Sequence, residues 1–135
     1  VAKGNIVTTD GQNRAANLLA GVADVPLDST AVRIGVGDDN TAASASDTNL
    51  SGDGDEYYQV LDATYPQVSG NSITFRSTYS ETDANFFWES WGIDVDDTQT
   101  VSASATPNEL FNRKVFSFGE KTGGVWTLTV TVSLS

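Results

Sequence analysis

Two short runs, Asp53-Gly54-Asp55-Glu56 and Asp94-Val95-Asp96-Asp97, each place three carboxylates within four residues. Such crowding of hard oxygen donors is what calcium takes. Neither run has the twelve-residue EF-hand spacing, and aspartates in turns commonly bond neighbouring backbone amides instead, so neither is read as a metal site. Paired acids could also cleave a glycosidic bond, which requires two carboxyls roughly 5 to 9.5 Å apart. Eighteen acids in 135 residues supply such pairs by chance, and no cleft signature accompanies any of them. Gly35-Val36-Gly37-Asp38-Asp39-Asn40 opens like a dinucleotide-binding loop. Its third glycine is missing, no helix pattern follows at once, and two carboxylates would face the pyrophosphate. The chain has neither histidine nor cysteine. That excludes Ser-His and Cys-His nucleophilic pairs, imidazole or thiolate zinc sites and disulfides. No catalytic residue, no metal and no cofactor is therefore expected, and the chain is read as a non-enzyme.

The side chains that remain are suited to contact. Trp88, Trp91, Tyr57 and Tyr58 could stack on sugar rings, which gives a carbohydrate-binding or host-recognition module as the alternative reading. Both tryptophans fall within strand patterns, where packing into the core is the plainer role. The adjacent tyrosines must point to opposite faces of a strand, leaving at least one for the surface. Arg113 and Lys114, with Lys121, form the basic cluster of the second half. They could pair with Asp94, Asp96 or Asp97 of a neighbouring copy, or with acids of their own chain.

The formal net charge is −11, from 18 acidic and 7 basic residues, and 13 of the acids are aspartate. Nucleic acid and anionic lipid are held mainly by clustered Lys and Arg, so neither is expected as a partner. Many aspartates, three lysines and 30 serines and threonines fit a protein suited to high external salt. At about 1 M salt the Debye length falls to about 3 Å and the mutual repulsion nearly vanishes. No apolar run approaches the roughly 20 residues that cross a bilayer, and Val1-Ala2-Lys3-Gly4 lacks the apolar core of a secretory signal. A soluble chain is expected.

Elements follow from periodicity. Thr9-Asp10-Gly11-Gln12 has the form of a capping box, followed by Ala15, Leu18, Leu19 and Val22 at helical spacing. A helix is predicted over about residues 10–20, ending at Gly21. Val32, Ile34 and Val36 alternate as in a strand with one buried face. Residues 37–56 carry one large apolar side chain, Leu50, and read as a long surface loop fit for outside contacts. Strands are predicted at 57–61, at 73–79 after the Gly70-Asn71 turn, and at 84–94, where large residues on both parities predict a central strand. Gly92 there marks a bulge or a close backbone approach. Further strands are predicted at 110–116 and 126–134, the last with five apolar side chains facing inward. The sum is a single domain over 1–135, mainly β: an antiparallel, jelly-roll-like β-sandwich with one short amino-terminal helix.

Several segments in order carry a resemblance. They are Gly4-Asn5-Ile6-Val7-Thr8-Thr9 before the helix with Leu18-Leu19-Ala20-Gly21, and Ile34-Gly35-Val36-Gly37-Asp38-Asp39-Asn40-Thr41-Ala42 with Asp47-Thr48-Asn49-Leu50. Ile73-Thr74-Phe75-Arg76-Ser77-Thr78-Tyr79, Ala84-Asn85-Phe86-Phe87-Trp88-Glu89-Ser90-Trp91-Gly92-Ile93, Leu110-Phe111-Asn112-Arg113-Lys114-Val115 and Lys121-Thr122 complete the series. Together they resemble small structural proteins of tailed viruses of bacteria and archaea and, more distantly, the amino-terminal attachment domains of phage tail fibres. Where members of that family often have an acid directly before an aromatic or aliphatic residue and glycine, this chain has Ser90, with Glu89 one position earlier, and one step along a strand reverses the face. The resemblance implies a virion location, partners that are copies of itself and other virion proteins, a homo-oligomer and no catalytic residue. The assembly contacts it suggests are Asp38, Asp39, Asp53 and Asp55 in the acidic loop, Phe86, Trp88 and Trp91 in the aromatic strand, and Arg113 and Lys114. Decoration or a vertex turret on the capsid, or a place on the tail or baseplate, are the roles it leaves open.

Overall fold

The computed structural model describes residues 5–98 and 101–134; Val1–Gly4, read above for a secretion signal, lie outside them. The chain opens with β1 (Ile6–Val7) and α1 (Thr9–Ala20). The helix lies where the sequence places it, but its cap is Thr8, whose hydroxyl accepts the Gly11 amide at 3.0 Å. Thr8 is already held by its own amide bonding the Phe111 carbonyl, so the chain leaves β1 in extended geometry and the cap falls one residue early. At the other end Gly21 adopts φ 71°, the left-handed cap expected of it. The buried helix face differs from the predicted one. Gly11 and Arg14 are buried, while Leu19 and Val22 are 82% and 54% exposed. A Cβ at Gly11 would lie 2.1 Å from the Phe111 carbonyl oxygen. The helix thus docks through its smallest residue and turns Leu19 outward.

The strands follow as β2 (Val32–Gly37), β3 (Glu56–Val60), β4 (Gln67–Ser69), β5 (Ser72–Tyr79), β6 (Phe87–Val95), β7 (Glu109–Leu110), β8 (Asn112–Glu120) and β9 (Trp126–Ser133). They form two antiparallel sheets packed into a sandwich. One is six-stranded, in the order β1-β8-β6-β2-β3 with β7 also on β6, and the other is β4-β5-β9. The aromatic strand β6 is central, between β8 and β2. Its bulge lies between Trp88 and Ser90. Gly92 is instead the close approach, since a Cβ there would lie 2.2 Å from the Asn112 carbonyl oxygen.

Val32, Ile34 and Val36 face the inter-sheet core with Phe75, Tyr79, Trp88, Leu128 and Val130. Contrary to the single buried face expected, β2 is buried at every position. Its second face lies under a smaller cluster of Leu50 from the acidic loop, Tyr58 from β3 and Leu110 from β7. The predicted strand at 110–116 is divided at Phe111 into β7 and β8. On β9, Leu128 and Val130 are buried and Trp126 and Val132 half-buried, but Leu134 lies beyond the strand and is 64% exposed. Edge-on aromatic contacts run through the core from Tyr57 to Tyr79 to Trp88, at 6.3 and 4.8 Å between ring centres. They continue edge-on from Trp88 to Phe118 at 6.1 Å and then, in a tilted pair, to Phe116 at 4.8 Å. Offset and edge-on pairs of this kind add about 0.5–1.5 kcal/mol each beyond their burial.

Candidate assembly interface

The acidic loop between β2 and β3 is a built structure. Asp38 accepts the Gly52 amide at 2.6 Å, and Asp39 accepts the amide and hydroxyl of Thr41 at 2.9 and 2.8 Å. Arg113, on β8, is only 1% exposed. Its guanidinium donates to the Asp47 carboxylate at 2.9 Å and to the carbonyls of Asp39 and Thr41 at 3.0 and 2.9 Å. Leu50 is fully buried, and its amide is held by Glu56, which also accepts the Tyr58 hydroxyl. Burial works against the Asp39 charge, but the Thr41 bonds and nearby Arg113 outweigh it and hold the carboxyl below the usual range. Of the acids proposed for contact, Asp53 and Asp55 are exposed and Asp38 and Asp39 half-buried.

The other suggested contacts divide in the same way. Trp88 and Trp91 are 2% and 8% exposed and belong to the core cluster. Phe86 is half-buried against that core. Tyr58 is fully buried beneath Arg33, whose guanidinium lies 5.3 Å from the ring centre. Tyr57 is half-buried and donates to Asp83 at 3.2 Å. The two tyrosines point to opposite faces as expected of a strand, Tyr57 toward the main core and Tyr58 into the smaller cluster. Arg113 reaches Asp39 and Asp47 of the acidic loop, the pairing within its own chain that the sequence left open. Lys121 is also buried, and its ammonium donates to the carbonyls of Ser80 and Asp83 and the side chain of Asn85, at 2.6, 2.7 and 3.0 Å. Lys114 is half-buried on the outer flank.

The acids at 94–97 point to separate partners. Asp94 is fully buried, pairs with Arg33 and accepts the Asn108 amide at 2.8 Å. Burial raises its carboxyl above the ordinary value, with Arg33 only partly opposing. Asp96 accepts from Thr98, and Asp97 pairs with Arg14. Among the described residues, no group of three or more acids is placed to hold a metal ion.

Arg14 was not foreseen as a focus of charge. It is 3% exposed and pairs with Asp24, Asp97 and Glu109 at the floor of an open concavity of about 410 Å³ that Asp10 and Asn13 also line. Burial, with Asp97 and Asp10 nearby, leaves the Glu109 carboxyl above its usual value despite Arg14. The cluster ties α1 to β7 and to the chain after β6. Nothing in helical periodicity signals it, since an arginine inside an amphipathic helix ordinarily faces solvent.

One flank differs from the rest in chemistry. The outer edge of β9 and that of β8 beyond Arg113 pair with no other described strand. Between them runs a groove of about 290 Å³ lined by Trp91, Phe116, Phe118, Leu128 and Val130, with Thr129, Thr131 and Lys114 at its rim. No acid lines it, and β9 carries no charge along its length. Phe116, the outer end of the aromatic chain, is 51% exposed. Sequence reasoning picked Lys114 and Trp91 here but missed Phe116 and Phe118, because the open side of a sandwich depends on which strands end as neighbours.

Comparison with protein-family models, curated proteins and solved structures returns no match, and no enzyme family or fold is identified. No helix among the described residues is long and apolar enough to cross a membrane.

Proposed function

We propose that this chain is a non-enzymatic structural subunit of a tailed-virus particle that works by assembling with copies of itself on the capsid surface, tail or baseplate. The observation that carries the assembly part is the acid-free flank, where core aromatic packing surfaces at Phe116 between two unpaired strand edges. Exposed edges of this kind are usually shortened, charged or covered, and exposed apolar surface flanking them marks contact with another protein. The virion location rests on the ordered resemblance along the chain. Deployment of the buried cations Arg14, Arg33, Arg113 and Lys121 as clasps for loops and carboxylates supports a rigid subunit rather than a reactive one.

Mass spectrometry of gradient-purified tailed-virus particles from a culture producing this chain tests the reading. The expected result is the chain in fixed ratio to the major capsid or tail protein, with no loss on washing at about 1 M sodium chloride, where screening removes casual charge adhesion. Absence from the particles, or hydrolysis of a glycan abolished by one carboxylate substitution, would overturn it.

A further inference from the structure

We propose that the β9 flank is where a second copy of this chain docks, with the β9 strands of the two copies pairing edge to edge and Phe116 of each covered by the other. The proposal rests on the assembly reading above and names its surface and partner. Three observations select the place. First, β9 is eight residues long and contains neither proline nor charge, so it lacks the devices that blunt an edge strand, and its outer edge meets no described strand. Second, the groove beside it exposes the end of a continuous chain of packed rings, from Tyr57 through Tyr79, Trp88 and Phe118 to Phe116. An interface between identical chains characteristically looks like a core cut in two.

Third, the partner's chemistry follows from charge. A second copy carries −11, so it is repelled wherever acids are dense and approaches most readily where they are absent. The groove is lined by no acid and carries Lys114. The acidic loop and the Arg14 concavity, with their surplus carboxylates, do not meet that condition. A contact of β9 with β9 about a two-fold axis is self-complementary, closes on itself and joins two three-stranded sheets into one of six. The apolar hollow near α1, lined by Leu18, Leu19, Ile73, Val132 and Leu134 among others, is also free of acids but lies apart from the chain of packed rings that ends at Phe116, and its α1 side serves as the comparison surface.

Sedimentation velocity of the full chain and of three variants, Phe116→Lys, Thr129→Lys and Leu19→Lys, tests this, with circular dichroism melts establishing that each is folded. Phe116→Lys and Thr129→Lys should each weaken self-association at least about tenfold, as loss of a central interface anchor does, while Leu19→Lys leaves it unchanged. Hydrogen exchange on the unsubstituted chain should show β9 amides gaining protection as protein concentration rises. Association equally strong in the unsubstituted chain and all three variants, with β9 exchange independent of concentration, overturns the flank and leaves the assembly reading standing. A chain that stays monomeric at every concentration overturns both.

Discussion

Arg14, Arg33, Arg113 and Lys121 are all buried, at 3%, 5%, 1% and 0% exposure, in a chain with only seven cations. In so acidic a protein each buried cation has carboxylates or carbonyls to meet, and each becomes an internal clasp. Three consequences belong at this scale. Asp94→Ala leaves Arg33 buried without its carboxylate and should destabilise by about 3–5 kcal/mol in urea denaturation. Asp53→Ala, at an exposed position, should stay within about 0.5 kcal/mol. Asp39 has a carboxyl held below the ordinary value when folded, so its contribution is present above the unfolded value of about 3.9 and is lost as pH falls through the folded one. Asp39→Asn should therefore melt lower than the unsubstituted chain at pH 7, and the gap should close on acidification below that window. A gap constant from pH 7 to strong acid would contradict the assignment. None of the clasps was legible in the sequence beyond the possibility of an intrachain partner for Arg113. A basic residue's local pattern is the same whether it faces water or a distant carboxylate, and the contacts of Arg14 with Asp97 and Glu109 span more than eighty positions.

At the scale of elements, what could be read was whatever repeats. The alternation of Ile73, Phe75 and Tyr79 gave β5, nine alternating positions gave β9, and large residues on both parities gave the central β6. β1, β4 and β7, of two, three and two residues, are too short to show a period and exist because longer neighbours offer them a ladder. The double burial of β2 was missed because its outward residues, Arg33, Gly35 and Gly37, look like a solvent face. They are small or cationic because Leu50 and Tyr58 lie directly over them: a Cβ at Gly37 would come within 2.0 Å of the Leu50 carbonyl oxygen, and one at Gly35 within 2.3 Å of the Tyr58 ring. The loop then cannot be structureless, since β2 is its floor. Gly37→Ala should lift Leu50 and cost about 1–3 kcal/mol, the usual penalty of forcing extra volume into a packed site. Amide exchange should quicken over residues 38–55 ahead of the rest. Uniform exchange with unchanged stability would contradict the account of the loop.

For the whole molecule, one sandwich carries a surplus of eleven negative charges, and the open side between β8 and β9 is lined by no acid. Screening should act on the monomer and on its association alike. Melting temperature should rise as sodium chloride increases toward about 1 M, where the Debye length is about 3 Å, and a melting point flat across that series would contradict adaptation to salt. The sandwich and its helix were legible because they depend on patterning; the side left open was not, because it depends on strand order, which no local pattern encodes. The most direct measurement is the molar mass of the unsubstituted chain by light scattering over a range of protein concentrations at that same salt. The account predicts species heavier than the 14.3 kDa subunit, their share growing with concentration. A single 14.3 kDa species throughout would contradict the claim that this protein functions by fitting against its own copies.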